Sequence, residues 1–257
     1  ECVQLTNQSS LLFILQTPSV HLSQFILSST TVKMRMRLGA TVPDFKAPTT
    51  KGPISFHDWI GDSWCMLFSH PADFTPVCTT ELGRIAVHKH EFEKRNVKIV
   101  ALSCDKLQDH TDWVNDIKSY CRDIPGDFPY PIISDESREL AVLLDMLDAE
   151  DVENPDKAMT VRAMYIIDPQ KKLRLSMIYP TSTGRNVDEI LRVIDSLQLT
   201  DKLKVIATPA NWVPGEKVMI LPTVSEDEAN QLFPNGIDRV SMPSEKNYVR
   251  TTTDYKM

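Results

Sequence analysis

The stretch that decides the fold is Trp64-Cys65-Met66-Leu67-Phe68-Ser69-His70-Pro71-Ala72-Asp73-Phe74-Thr75-Pro76-Val77-Cys78-Thr79-Thr80-Glu81. Its first part, from Trp64 to Phe68, is an apolar run of strand length. Thr75 then supplies a side chain suited to a helix N-cap and Pro76 a preset first helical residue. Leu82, Ile85, Ala86 and Phe92 follow at three- and four-residue spacing, so the sequence predicts one helix continuing through Phe92. A strand feeding a helix in this way delivers the intervening turn to the carboxyl edge of a sheet, where α/β proteins build their sites.

Moving outward, the same alternation recurs. Val97 to Leu102, Val161 to Ile167 and Leu173 to Ile178 read as further strands. Leu140, Leu143, Leu144 and Leu147 mark one helix, and Ile190, Leu191, Ile194 and Leu197 another, opened by Asn186 with Glu189. The fold class is therefore α/β. Past Thr200 the texture changes: prolines at 209, 214, 222, 234 and 243 punctuate short segments, and Ser225 with Glu228 forms a capping box. These changes divide the chain into residues 1–35 as a leader or extension, 36–200 as the main domain and 201–257 as a small C-terminal α+β domain expected to pack on the main domain or on a partner chain.

Composition narrows the function. The 257 residues are 42% hydrophobic and 25% charged, enough for a real core. The net charge of −7 argues against a general affinity for nucleic acid or anionic membranes. No stretch has the apolar length of a transmembrane segment. Residues 1–35 admit three readings: a poorly ordered leader, an acid-poor transit sequence of mitochondrial type, or upstream sequence included in the chain. The five cysteines, Cys2, Cys65, Cys78, Cys104 and Cys121, form no C-x-x-C pair and no cluster at zinc-ligand spacing, so no metal is expected and a reducing compartment is.

Among them Cys78 stands out. In the first turn of a helix its sulfur faces unpaired backbone N–H groups and the positive end of the dipole, which favours the thiolate nucleophile. His70, at a strand end beside Pro71, reads equally as a substrate-orienting group or as a hydrogen-bonded structural residue. His88 and His90 do not share a helix face, and His110 with the acids around it reads as a solvated helix face. Arg162 lies in an otherwise apolar strand, where an unpaired charge is costly, so a structural ion pair, for example with Glu81, is one reading of it.

Pro71 to Cys78 matches the P-x-x-x-T-x-x-C motif of peroxiredoxins, and His70, Thr79, Thr80 and Glu81 resemble the one-cysteine subgroup. The likeness runs from about Leu38 to Thr252 and includes Tyr179-Pro180-Thr181-Ser182-Thr183-Gly184-Arg185-Asn186. It implies a thioredoxin-like main domain, a C-terminal domain of the family's own type and a homodimer or larger assembly. It also implies a peroxidase acting on hydrogen peroxide and organic hydroperoxides, phospholipid ones included. By resemblance Cys78 is the peroxidatic cysteine, Thr75 and Arg162 complete the catalytic set, and Pro71, His70 and Glu81 support it. A guanidinium and helix N–H donors would stabilise charge on the departing oxygen, leaving a sulfenic acid on an exposed Cys78 open to overoxidation. With no cysteine after Cys121, an outside thiol is expected to reduce it. The family points to glutathione, with a glutathione transferase as helper, and no other cofactor. Cytoplasm is the expected compartment, mitochondria if the leader is a transit sequence. Gly61-Asp62-Ser63-Trp64-Cys65 is similar to the lipase-like G-x-S-x-G of some relatives, with Ser63 and His57 at the hydrolase positions. The closing glycine is missing, Ser63 precedes a strand, and Gln170 stands where the relatives carry aspartate, with Asp168 nearby, so Ser63 is read as a turn residue.

Overall fold

The computed structural model describes residues 36–154 and 158–256; the leader expected over 1–35 lies outside the described residues. Five strands form the central sheet: β3 (Trp64–Ser69), β4 (Val97–Ser103), β5 (Ile132–Ser134), β6 (Arg162–Ile167) and β7 (Leu173–Tyr179), after a small hairpin of β1 (Lys46–Ala47) and β2 (Ile54–Ser55). Their order is β5-β4-β3-β6-β7. β3 runs parallel to β4, and β4 to β5, while β6 and β7 join antiparallel.

β3 is central and buried along its whole length, which explains why it reads as a continuous apolar run rather than an alternation. Trp64, Met66 and Phe68 pack on one face with residues of α2 (Pro76–Val87), α4 (Leu107–Tyr120) and α7 (Val187–Lys202). Cys65 and Leu67 face the other way, toward Val42, Phe45, and Phe56 and Ile60 of α1 (Phe56–Ile60). Both faces being covered, β3 fixes where the turn after Ser69 emerges.

Two expected helices differ in extent. The helix predicted to run through Phe92 breaks at His88, whose φ of −89° and ψ of 10° separate α2 from α3 (Lys89–Lys94). There the His88 ring nitrogen lies 2.7 Å from the Arg84 carbonyl oxygen, and the His88 backbone N–H donates to the same oxygen at 3.2 Å. The side chain thus competes for the helical acceptor. The helix expected across Leu140 to Leu147 stops after α5 (Glu139–Leu143), because Asp145 takes a left-handed φ of 55° that no helix interior accepts. A short α6 (Ala149–Glu153) follows, opened by the Asp148 carboxylate.

α7 begins as its sequence signal says, with the Asn186 side chain accepting the Glu189 N–H at 3.1 Å. Its far end passes into a second core, where Leu199 packs with Trp212, Val218, Ile220 and Phe233. This part contains a four-stranded sheet, ordered β10-β11-β9-β8, from β8 (Ile206–Ala207), β9 (Val218–Ile220), β10 (Asp238–Arg239) and β11 (Arg250–Thr252). Its helix α8 (Glu226–Leu232) is capped by Ser225, which accepts the Glu228 N–H at 3.2 Å. Arg192 reaches the Trp212 carbonyl at 3.0 Å, and Ser196 and Thr208 share a 2.6 Å hydrogen bond, so the C-terminal region packs on the main domain, as one of its two expected placements required.

Candidate active site

The turn Pro71–Thr75 connects the end of β3 to the start of α2 and sets Cys78 in the first helical turn. Thr75 occupies the N-cap position with extended backbone, but its hydroxyl does not cap the helix; it donates to the Ala72 carbonyl at 2.8 Å and so closes the turn on itself. Phe74, between them, holds a φ of 52°. A bulky side chain rarely adopts this left-handed conformation, which costs about 1–3 kcal/mol.

Cys78 is fully buried, which corrects the expectation of an exposed thiol. The first turn of α2 lies beside Arg162 at the start of β6 and against the core face of the sheet, so the sulfur meets protein instead of water. Arg162, on β6, places Nη1 at 3.4 Å from the Cys78 Sγ and 2.6 Å from Glu81 Oε2. Its Nε and Nη2 both donate to the Thr181 carbonyl, at 3.0 and 2.6 Å, so the guanidinium is fixed in plane. The expected Arg162–Glu81 ion pair is present, and the contact with sulfur exists beside it.

Sequence reasoning assigned no role to Arg185, yet it completes this cluster. Glu81 Oε1 accepts from the Arg185 backbone N–H at 2.7 Å and from its Nε at 2.9 Å, and Oε2 accepts from its Nη2 at 3.1 Å. Arg185 also donates to the carbonyls of Ala163 and Ser69 and stacks 4.9 Å over the Phe68 ring. Burial pushes the Glu81 carboxyl up, but Arg185 and then Arg162 outweigh it and hold the group below its ordinary range. One carboxylate thus orients two buried guanidinia. The signal for Arg185 was its place directly before the helix-capping Asn186, where the strand-to-helix turn brings it back over α2.

His70 sits at the end of β3, wholly buried, and its Nε2 lies 2.8 Å from Asp73 Oδ1. Asp73 Oδ2 lies 2.5 Å from Nδ1 of His110. His110 is itself fully buried on α4, which corrects its reading as part of a solvated face. His110, Trp113 and Ile117 fall at a helical spacing of three and four and form the inner stripe of α4; this was the legible signal. The donor atoms of His70, Asp73 and His110 lie within 4.8 Å of one another, the arrangement among the described residues closest to a metal cluster, but they are bonded to each other. Trp113 links the two parts of the site, its ring centroid 5.2 Å from that of His70 and its Nε1 donating to Thr79 at 3.1 Å.

Other thiols are less suited to reaction. Burial drives the Cys65 thiol far up, raises Cys104 to about 12 and raises Cys121 as well. Ser63 and His57 are not brought together by any hydrogen bond: the Ser63 hydroxyl donates to Asn96 at 2.9 Å, and His57 Nε2 lies 2.8 Å from the Val42 carbonyl. Asp168 is committed to the β6–β7 turn through the Lys172 N–H and Arg174. Ser63 thus has the contacts of a turn residue ahead of β3.

Comparison with known proteins agrees with this geometry. Residues 38–176 match the AhpC/TSA family, and residues 196–236 match the C-terminal domain of 1-Cys peroxiredoxin. Peroxiredoxin-6 of Mus musculus is 54% identical over 216 residues, covering 84% of this chain and 96% of the relative; that of Homo sapiens is 53% identical over the same shares. Among solved structures, a cysteine-to-serine mutant of the peroxiredoxin 6 of Arenicola marina superposes with a TM-score of 0.81 at 52% identity, covering 86% of this chain and 99% of that one. A yeast mitochondrial 1-Cys peroxiredoxin, described with a thiol resolving mechanism via glutathione/thioredoxin systems, gives 0.74 at 44%, covering 84% and 98%.

Proposed function

The chain belongs to the AhpC/TSA family, in its one-cysteine peroxiredoxin branch with the thioredoxin-like fold, and is a thiol-dependent peroxidase; from that premise we propose that Cys78 attacks the peroxide with Arg162 as its electrostatic partner. The observation that carries this reading is the 3.4 Å approach of Arg162 Nη1 to the Cys78 sulfur, which is fully buried in the first turn of α2.

The Cys78 thiolate attacks one peroxide oxygen, the S–O bond forms as the O–O bond breaks, and the electron pair leaves with the departing oxygen, which takes up a proton to become water or an alcohol. Arg162, held in plane by Thr181 and Glu81, presents positive charge where this negative charge develops. Pro71, buried beside the turn, helps keep water from the sulfur, and Thr75 shapes the turn through its bond to Ala72. His70 serves by anchoring Asp73. The product is a sulfenic acid on Cys78. An external thiol then condenses with it, releasing water and leaving a mixed disulfide, and a second thiol frees Cys78.

The reduction step is assigned to glutathione, with a glutathione transferase as helper. The yeast neighbour's glutathione/thioredoxin description supports this class of reductant, and the burial of Cys65 and the raised thiols of Cys104 and Cys121 speak against an internal partner. Only the two thiols and the peroxide are required as reactants. Hydrogen peroxide and organic hydroperoxides, phospholipid ones among them, are the proposed substrates. A homodimer is proposed along β7, an outer strand of the sheet whose Ile178 is 56% exposed, since an open strand edge invites pairing. The peroxidase unit is taken as 36–200 and the C-terminal unit as 201–257. No helix of the described residues is long and apolar enough to cross a membrane. Cytoplasm is the proposed compartment; the mitochondrial home of the yeast neighbour supports mitochondria as the second.

The test is to treat the protein with one equivalent of hydrogen peroxide in the presence of a sulfenic-acid-trapping nucleophile and locate the adduct by peptide mass. Labelling confined to Cys78 is expected. An adduct on Cys104 or Cys121 with Cys78 unlabelled would refute the assignment.

A further inference from the structure

Asp73 is anchored from three directions. Its carboxylate lies between His70, just past the end of β3, and His110 of α4, at 2.8 and 2.5 Å, and its backbone N–H donates to Asp105 at 3.0 Å. Asp105 in turn accepts from Ser103 at 2.6 Å. The next residue, Phe74, carries the left-handed φ of 52°, is 56% exposed, and has its ring centroid 6.4 Å from that of Trp113. Little packing therefore holds Phe74 itself in place, and the anchor on Asp73 must hold the turn.

The anchor needs a definite number of protons. His110 Nδ1 faces a carboxylate oxygen, and its Nε2 faces the Ile133 carbonyl at 3.2 Å. His70 Nε2 faces the other carboxylate oxygen, while His70 Nδ1 is buried with no partner. Three nitrogen-to-oxygen contacts each need a proton, but two neutral imidazoles and a carboxylate bring only two. A third proton completes the set and makes a buried array of net charge zero, instead of leaving one uncompensated carboxylate in the interior. Burial holds His70 below the ordinary histidine range, so that ring stays neutral. Burial pushes the Asp73 carboxyl up, but the bonds from His110 and His70 outweigh it and keep the group ionised. His110 is the ring with both nitrogens facing oxygens, so the contact geometry places the third proton there.

We propose that His110 is a positioning residue for the peroxidase reaction: its imidazolium, acting through Asp73, holds the turn from Pro71 to Thr75 in the left-handed form that seats Cys78 beside Arg162. The inference rests on the reading of Cys78 as the reacting centre. The titratable groups that face the array are Asp105, through the Asp73 N–H, and the two histidines themselves; the remaining contacts are the Ile133 carbonyl from β5, the Trp113 ring from α4 and the Thr160 hydroxyl on the His70 carbonyl. Removal of that proton would leave the buried Asp73 carboxylate without its counter-charge, beside an Asp105 already bonded to the Asp73 N–H, and would loosen the turn.

Two measurements test this on the full chain. Nitrogen-15 NMR of the histidine rings, with His110 assigned from the spectrum of His110→Gln, is expected to show both His110 nitrogens protonated at pH 7; a neutral His110 ring would overturn the proposal whether or not the variant folds. Stopped-flow oxidation of Cys78 by hydrogen peroxide is expected to be about tenfold slower in His110→Gln, the scale at which displacement of reacting groups acts. The fall of the wild-type rate on the alkaline side of its profile should also be missing in the variant. A folded variant with the wild-type rate and the same alkaline limb would overturn the proposal. The NMR result does not depend on Cys78, so absence of an adduct on that residue would instead overturn the reading on which the inference rests.

Discussion

Replacing Glu81 by Gln should separate the scaffold of the site from its chemistry. The carboxylate accepts four hydrogen bonds, one from Arg162 and three from Arg185, and its side chain is 3% exposed. A glutamine with its oxygen at the Oε1 position keeps the two bonds from the Arg185 N–H and Nε. Its amide then turns N–H groups toward Arg162 Nη1 and Arg185 Nη2, which are themselves donors. Two charge-assisted bonds are lost, at roughly 1.5–3 kcal/mol each, and two guanidinia lose their buried counter-charge, so destabilisation of about 3–5 kcal/mol is expected. For a chain of this size that is roughly 10 °C in Tm. Arg162 keeps its two bonds to Thr181 and remains near the sulfur, less well aimed, so Cys78 oxidation should slow by about 10- to 100-fold. The pH dependence has a definite sign. Because the Glu81 carboxyl is held below its ordinary value, it contributes stability that is present above about pH 4.3 and lost as pH falls through the folded value. Glu81→Gln should therefore lose part of the acid-sensitive stability. Urea denaturation followed by tryptophan fluorescence at pH 7 and pH 4, with stopped-flow kinetics, reads all three effects. A loss below about 1 kcal/mol together with an unchanged rate would mean that Glu81 does not organise the two arginines.

Gly83 on α2 leaves no room for a side chain, since a Cβ there would stand 2.3 Å from the Cys121 sulfur and 3.1 Å from its Cβ. Gly83→Ala should therefore destabilise by about 1–3 kcal/mol, and Cys121→Ala in the same chain should recover most of the loss in a double-mutant cycle followed by urea denaturation. If the two effects simply add, the contact is not the cause. Cys104→Ser and Cys121→Ser, singly and together, should leave steady-state peroxide turnover with an external thiol unchanged; a fall in turnover would identify an internal resolving thiol. Ser63→Ala should leave peroxide turnover unchanged and cost less than about 1 kcal/mol in stability, as loss of its one exposed hydrogen bond to Asn96 requires.

Much of this arrangement was legible in the chain. The apolar run of β3, Pro76 at the helix start and the caps at Asn186 and Ser225 are local signals, and each holds at the level of backbone position. Arg162 was legible through the family resemblance, and its charge in an apolar strand demands a partner, which Glu81 supplies. What was not legible depended on side-chain choices between alternatives of similar local energy. Thr75 stands at the N-cap yet spends its hydroxyl on Ala72, and His88 breaks a helix whose apolar spacing continues past it. His110 was misread because its neighbours in sequence are acidic, whereas its neighbours at helical spacing are Trp113 and Ile117. Arg185 and Asp73 take their importance from contacts with residues far along the chain, and these exist only after the sheet is assembled. The exposure of Cys78 belongs to the same class: a first helical turn can face solvent or core, and here β6 covers it.

The central claim is that Cys78 carries the peroxidase reaction. It is tested most directly by following hydrogen peroxide consumption by the wild type and by Cys78→Ser under the same concentration of dithiothreitol, with intact mass recorded after peroxide alone. Rapid turnover in the wild type, a gain of oxygen mass lost on mutation, and no turnover above the thiol blank in Cys78→Ser are predicted. Equal consumption by both proteins would contradict the account.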